Sequence, residues 1–163
     1  MSRTITLRPV REDDEPFLRE VYASSRAEEL AALDWDETQK AQFLRMQFEA
    51  QREFYRTQFP NAGFQVIEVE NVPVGRLYVD RRDDEIRIVD IALLPACRNA
   101  GIGGQLLGDL LAEAAAAGKP VRIHVERFNR ALGFYERLGF KQTGDNGVYY
   151  LMEWTPCDSR ESA

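Results

Sequence analysis

The chain has 163 residues, of which 44 % are hydrophobic and 29 % charged, an ordinary globular balance that excludes a disordered or fibrous chain. A core of this size buries roughly 68–70 % of the unfolded surface, so one domain over residues 1–155 is expected, with a frayed tail at 156–163. The net charge of −6, from 21 basic and 27 acidic residues, gives nucleic-acid phosphates no global attraction, so nucleic acid is not expected as a partner.

The opening stretch "MSRTITLRPVREDDE" carries no apolar secretory region, and no window reaches the roughly 18 apolar residues of a membrane span. A cytoplasmic protein without membrane contact is the expectation. Cys97 and Cys157 lie in unrelated contexts and suit a reducing compartment. No set of His, Cys, Asp and Glu has metal-ligand spacing, so no metal is expected.

In chain order, "TITLRP" alternates apolar and polar as a first strand does. "EDDEPFLREVY" reads as a helix, with Asp13 or Asp14 accepting the first free amides and Pro16 in the first turn. A longer amphipathic helix follows from Asp36, which forms a capping box with Gln39 and is followed by a stripe of Leu44, Phe48, Gln51, Tyr55 and Phe59. That stripe reads as core, with one face able to line a pocket.

Residues 64–95 read as a three-stranded meander turning at "NVPV" and "RRDD". The third strand is the most apolar and is placed centrally. The charges of "RLYVDRRDDEIR" alternate in sign and read as a solvated hairpin tip. A helix from Ile102 to Ala117 buries Ile102, Leu106, Leu107, Leu110, Leu111 and Ala114. "VRIHV" is then a strand, "NRALGFYERL" a helix closed by Gly139, and "GVYYLMEW" the last strand. The fold class is α/β (α+β), a mixed and mostly antiparallel sheet with about four helices in the order β-α-α-β-β-β-α-β-α-β.

Between the central strand and the leucine-rich helix lies "RNAGIGGQLL". Bare backbone amides at a helix start favour an anion such as phosphate. The alternative is that the glycines only form a tight turn and let the helix approach the sheet. A dinucleotide fingerprint begun at Gly101 would need glycine where Leu106 stands, and an ATP loop would need Gly-Lys-Ser/Thr where Gly103-Gly104-Gln105 stands.

The remaining fit is R-x-x-G-x-G over Arg98, Gly101 and Gly103. "IALLPACRNAGIGGQLLGDLL" resembles the acyl-coenzyme A binding motif of the GNAT superfamily of N-acetyltransferases, and "NRALGFYERLGF" is similar to its second signature. The resemblance spans the chain. It implies acetyl-CoA as acyl donor, with the pyrophosphate on the loop of Arg98, Asn99, Ala100, Gly101, Ile102, Gly103 and Gly104. It also implies that the strand before the loop splays from "VRIHV", and that the pantetheine arm pairs with backbone at about Ile91 and Leu93 as an added strand. Asn129 would contact the cofactor arm, and Tyr135 would approach the thioester sulfur.

The implied reaction is direct attack of a primary amine, on a small molecule or protein, with Tyr135 (ordinary phenol pKa about 10) as general acid. Asp90 and Glu126 are candidate bases, and Glu28 and Glu29 candidate substrate-side residues. The strand position where some relatives carry a glutamate base falls near Arg87. His124 and Cys97 read as structural. The alternative reading is a non-catalytic GNAT-like acyl-CoA-binding domain. A monomer or homodimer is compatible with the sequence.

Overall fold

The structure is a computed structural model that describes residues 3–127 and 129–156. The expected frayed tail, with Cys157, lies beyond them except for Pro156. Seven strands form a mostly antiparallel sheet in the order β1-β2-β3-β4-β5-β7-β6. They are β1 (Ile5–Pro9), β2 (Gly63–Val69), β3 (Val72–Arg81), β4 (Ile86–Leu93), β5 (Val121–Glu126), β6 (Lys141–Asp145) and β7 (Tyr149–Trp154). The helices are α1 (Glu15–Ser25), α2 (Ala27–Ala31), α3 (Glu37–Gln58), α4 (Ile102–Ala117) and α5 (Leu132–Arg137). As the apolar run of β4 implies, that strand is the middle one of the seven.

Two elements depart from the sequence-based order. The five-residue α2 is an extra turn of helix between α1 and α3. The segment expected as a loop before the last strand instead forms β6, antiparallel to β7 with an irregularity between Gln142 and Gly144. The first meander turn is also shifted: Glu70 and Asn71 both have positive φ, +50° and +68°, the two-residue hairpin geometry that matches strand twist, and Val72 already begins β3.

The described chain divides into two compact units. The first comprises residues up to Tyr78 together with Asp90–Ile102. Within it β1 pairs antiparallel with β2, from Ile5 opposite Val69 to Pro9 opposite Gln65. Leu18 and Tyr22 of α1 pack with Phe48 of α3, the helical periodicity of each turning these residues to one side. Helix α3 opens with the expected capping box: the Gln39 amide donates to Asp36 Oδ1 (2.8 Å) and the Asp36 amide to Gln39 Oε1 (3.1 Å).

Asp14 precedes α1, but its carboxylate does not cap that helix. It accepts two hydrogen bonds from the Arg8 guanidinium, both 2.8 Å, and one from the Arg11 amide at 2.7 Å. Arg8 also reaches Glu68 at 3.0 Å, which ties β1, β2 and the start of α1 together. In β3, a Cβ on Gly75 would lie 2.2 Å from the Ala92 carbonyl oxygen, so the close approach of β3 to β4 at Ala92 requires glycine.

The second unit comprises Val79–Val89 and the chain from Gly103 onward. Leu106, Leu107, Leu110, Leu111 and Ala114 of α4 are buried as their spacing predicts. Strand β4 pairs parallel with β5 over Ile86–Ile88 and Val121–Ile123, and β5 pairs antiparallel with β7 along its whole length. The charges of the β3–β4 hairpin are consumed locally: Arg82 pairs with Asp80 (2.9 Å) and Glu85 (3.5 Å), Arg81 with Glu113 (2.6 Å), and Arg122 with Glu85 and Glu153. Asp80 and Glu85 are buried, so this is a partly buried ion-pair cluster and not the fully solvated tip that the alternating charges suggest.

Candidate functional site

The glycine loop begins where β4 ends. Pro95–Cys97 form one 3-10 turn, closed by the Cys97 amide on the Leu94 carbonyl at 2.9 Å. Arg98 returns to extended backbone, and its Nε donates to the Leu93 carbonyl at 3.1 Å. Asn99 (φ +60°) and Gly101 (φ +83°) then take left-handed conformations on either side of Ala100, whose carbonyl accepts a hydrogen bond from Arg3. This double reversal delivers the chain into α4 at Ile102. The first four amides of a helix have no intrahelical acceptor, and here they follow a loop whose Gly101 has no heavy atom within 4 Å of a Cβ position.

Gly103 and Gly104 are half-buried. A Cβ on either would touch only the Phe134 ring of α5, at 3.8 and 4.0 Å, an ordinary van der Waals approach. Packing therefore does not demand glycine at 103 or 104. The left-handed φ of Gly101 does favour glycine. The alternative in which all three glycines serve the turn accounts for Gly101 alone.

The second signature forms the turn before α5. The Asn129 amide donates to the Glu126 carbonyl (3.0 Å), and its Oδ1 accepts from the Ala131 amide (2.7 Å), which fixes the side chain against the turn. Tyr135 is 5 % exposed, with its ring 5.5 Å from Phe134 and 5.7 Å from Phe140. Glu126, at the end of β5, is half-buried.

Asp90 of β4 is ion-paired with Arg76 of β3 at 2.6 Å. Arg76 also donates to Gln51 Oε1 of α3 (2.8 Å), and its guanidinium lies 5.2 Å over the Tyr78 ring. Burial opposes the Arg76 charge, but Asp90, Tyr78 and Tyr55 outweigh it, so the guanidinium holds its proton more tightly than usual. Burial likewise raises the Tyr78 phenol, partly offset by Arg76. Arg76 and Tyr78 border a cavity of about 280 Å³ in the first unit, just under the usual size of a small-molecule site. As the α3 stripe allowed, Phe48, Gln51 and Tyr55 line it.

Sequence reasoning missed Arg76 and Tyr78, which carry no motif and reach the cavity through strand pairing. Glu28 and Glu29 lie exposed on α2, Glu29 paired with Arg26 at 3.1 Å, and neither belongs to the described lining. His124 lies beside Arg87; burial and that cation push its imidazole below its ordinary 6.5. Cys97 is a half-buried free thiol. Among the described residues no group of three or more His, Cys, Asp or Glu can hold a metal, and no described helix is long and apolar enough to cross a membrane.

The chain is similar throughout to solved acetyltransferase structures. A PaiA N-acetyltransferase from Thermoplasma acidophilum, in complex with coenzyme A, shares 22 % identity with a TM-score of 0.70 over 93 % of this chain and 99 % of that one. An acetyltransferase from Thermus thermophilus shares 18 % with a TM-score of 0.67, covering 93 % and 97 %. A GNAT family acetyltransferase from Elizabethkingia anophelis, with acetyl-CoA bound, shares 18 % with a TM-score of 0.59, also covering 93 % and 97 %. At these identities the likeness establishes the fold. The model of the acetyltransferase (GNAT) family matches residues 26–140, more than half of the sequence and both signature segments, and the chain therefore belongs to the GNAT family of acetyltransferases.

Proposed function

We propose that the protein is an acetyl-CoA-dependent N-acetyltransferase, acting in the cytoplasm, that transfers the acetyl group directly to a primary amine. The observation that carries this reading is the bareness of Gly103 and Gly104, which packing does not require. Together with the left-handed turn at Asn99 and Gly101 it fits a pyrophosphate lying on the backbone amides from Gly101 to Gly104. The Arg98 guanidinium, anchored at Leu93, adds positive charge to the loop. On β4, the backbone at about Ile91 and Leu93 pairs with the pantetheine arm, in the part of the strand beyond its three-residue register with β5. Asn129 Nδ2 contacts the same arm.

Bound acetyl-CoA supplies the thioester: a carbon–nitrogen bond forms, the carbon–sulfur bond breaks, and the amine's proton passes to a base. The chain's own contribution is chiefly positioning, worth several kcal/mol when both reactants are held in line. Tyr135, locked between Phe134 and Phe140, donates its phenolic proton to the departing sulfur. Two carboxylates are available as the base. Asp90 accepts a proton only at the expense of its pair with Arg76, and Glu126 stands half-buried at the end of β5.

The test is acetyl-CoA-dependent release of free thiol across a panel of primary amines. Saturable, amine-dependent release supports the enzyme. No thiol release above background with any amine, from a folded protein that binds acetyl-CoA, would replace it with the acyl-CoA-binding domain.

A further inference from the structure

The cavity of the first unit inverts the charge of the chain around it. Its described lining holds the guanidiniums of Arg52, Arg56 and Arg76 and no carboxylate, in a protein of net charge −6. Two of the three cations are already matched. Arg76 is 4 % exposed and paired with Asp90, and Arg52 is paired with Glu15 while resting 5.5 Å over the Phe48 ring. Arg56, in the last turn of α3, is exposed and makes no ion pair among the described residues. Three cations less two carboxylate partners leave one positive charge unanswered. The Nε of the buried Arg76 also has no hydrogen-bond partner. The rest of the wall is mostly apolar, with the rings of Tyr55, Phe64 and Tyr78 beside Val10, Leu18 and the Gln51 amide, and Phe64 and Tyr78 edge-to-face at 4.8 Å.

A cation at Arg56 and an unmet donor at Arg76, set among aromatic rings, complement a carboxylate carried on a flat apolar body. They disfavour a ligand whose only charge is an ammonium. From this we infer that the cavity binds the acceptor, and that the acceptor is a small amino acid with an aromatic or bulky apolar side chain, its carboxylate held by the arginines. This rests on the acetyltransferase reading and deepens it. The same cations favour the neutral form of the acceptor's amine, the form that can attack.

Three matched probes separate the contributions: 3-phenylpropionate (ring and carboxylate), L-phenylalanine (ring, carboxylate and amine) and phenethylamine (ring and amine). Each is titrated into the full chain without acetyl-CoA, with amide chemical shifts of Phe64 and Tyr78 reporting the site. The two carboxylates should bind and move those amides, and phenethylamine should bind at least about tenfold more weakly. Arg56→Gln, at an exposed position, should weaken the carboxylates about tenfold without changing the melting temperature, and Arg52→Gln is the second variant.

Equal or tighter binding of phenethylamine, no binding of any probe, or carboxylate binding that neither variant weakens would overturn the inference. A separate acetyl-CoA titration tells the two failures apart. A protein that binds acetyl-CoA without a carboxylate preference loses only this proposal, whereas one that ignores acetyl-CoA loses the enzyme reading, whatever the cavity does.

Discussion

Gly103 of α4 faces the Phe134 ring of α5 with room for one more carbon: a Cβ built on it would sit 3.8 Å from the ring edge. The protein can accommodate alanine there, whereas a pyrophosphate drawn onto the helix amides cannot tolerate the extra methyl as easily. Gly103→Ala should therefore leave stability unchanged or raise it by up to about 1 kcal/mol, since alanine lowers the entropy of the unfolded chain and favours helix. The same variant should bind acetyl-CoA more weakly. Urea denaturation beside a binding titration checks both halves, and a loss of stability would show that the glycine serves the fold.

Much of the fold was legible because its signals are local. The capping box of Asp36 and Gln39, the leucine stripe of α4 and the glycine turn before it each follow from a few neighbouring residues. Strand β6 was not, because "KQTGD" has no apolar alternation; it is a strand through its pairing with β7, and Gly144 and the irregularity beside it further blur the pattern. The sequence offers Asp13 or Asp14 as the helix cap; Asp14 instead anchors Arg8, which the sequence could not show because Glu68, the third partner, is far away in the chain. For the site, the two signatures marked the loop and α5. The Arg76–Asp90–Gln51 cluster joins β3, β4 and α3, so no spacing in the sequence announces it.

Tyr135 is assigned to the departing sulfur. Tyr135→Phe keeps the ring that packs on Phe134 and Phe140 and removes only the hydroxyl. Turnover should fall about a hundredfold, in the range of general acid catalysis, while the acetyl-CoA dissociation constant stays unchanged. Steady-state kinetics with a confirmed amine, paired with calorimetry, make the measurement. Unaltered turnover would remove the assignment.

The Arg8–Asp14 pair predicts a pH dependence of stability. Arg8 first, then the Arg11 amide and cation, hold the Asp14 carboxyl below its ordinary range despite burial. A lowered native pKa means that the unfolded chain binds the proton more readily. The pair's contribution is complete above the ordinary carboxylate pKa of about 4 and is lost as pH falls through the depressed native value. Asp14→Asn should cost about 2–3 kcal/mol at pH 7, for lost charge-assisted hydrogen bonds, and the gap from the parent should narrow below about pH 4. Urea midpoints at pH 7 and pH 3 decide this; a gap that does not narrow would contradict it.

The central claim is that the bare amides at the start of α4 hold coenzyme A, and isothermal titration of the folded protein with acetyl-CoA tests it most directly. NAD and ATP serve as comparison ligands and Gly103→Glu as the variant that puts a carboxylate where the pyrophosphate should lie. The account predicts selective binding of acetyl-CoA and a loss of at least about tenfold in a variant that keeps the parental melting temperature. A folded parent that binds neither acetyl-CoA nor coenzyme A, or a variant that binds as tightly as the parent, would contradict it.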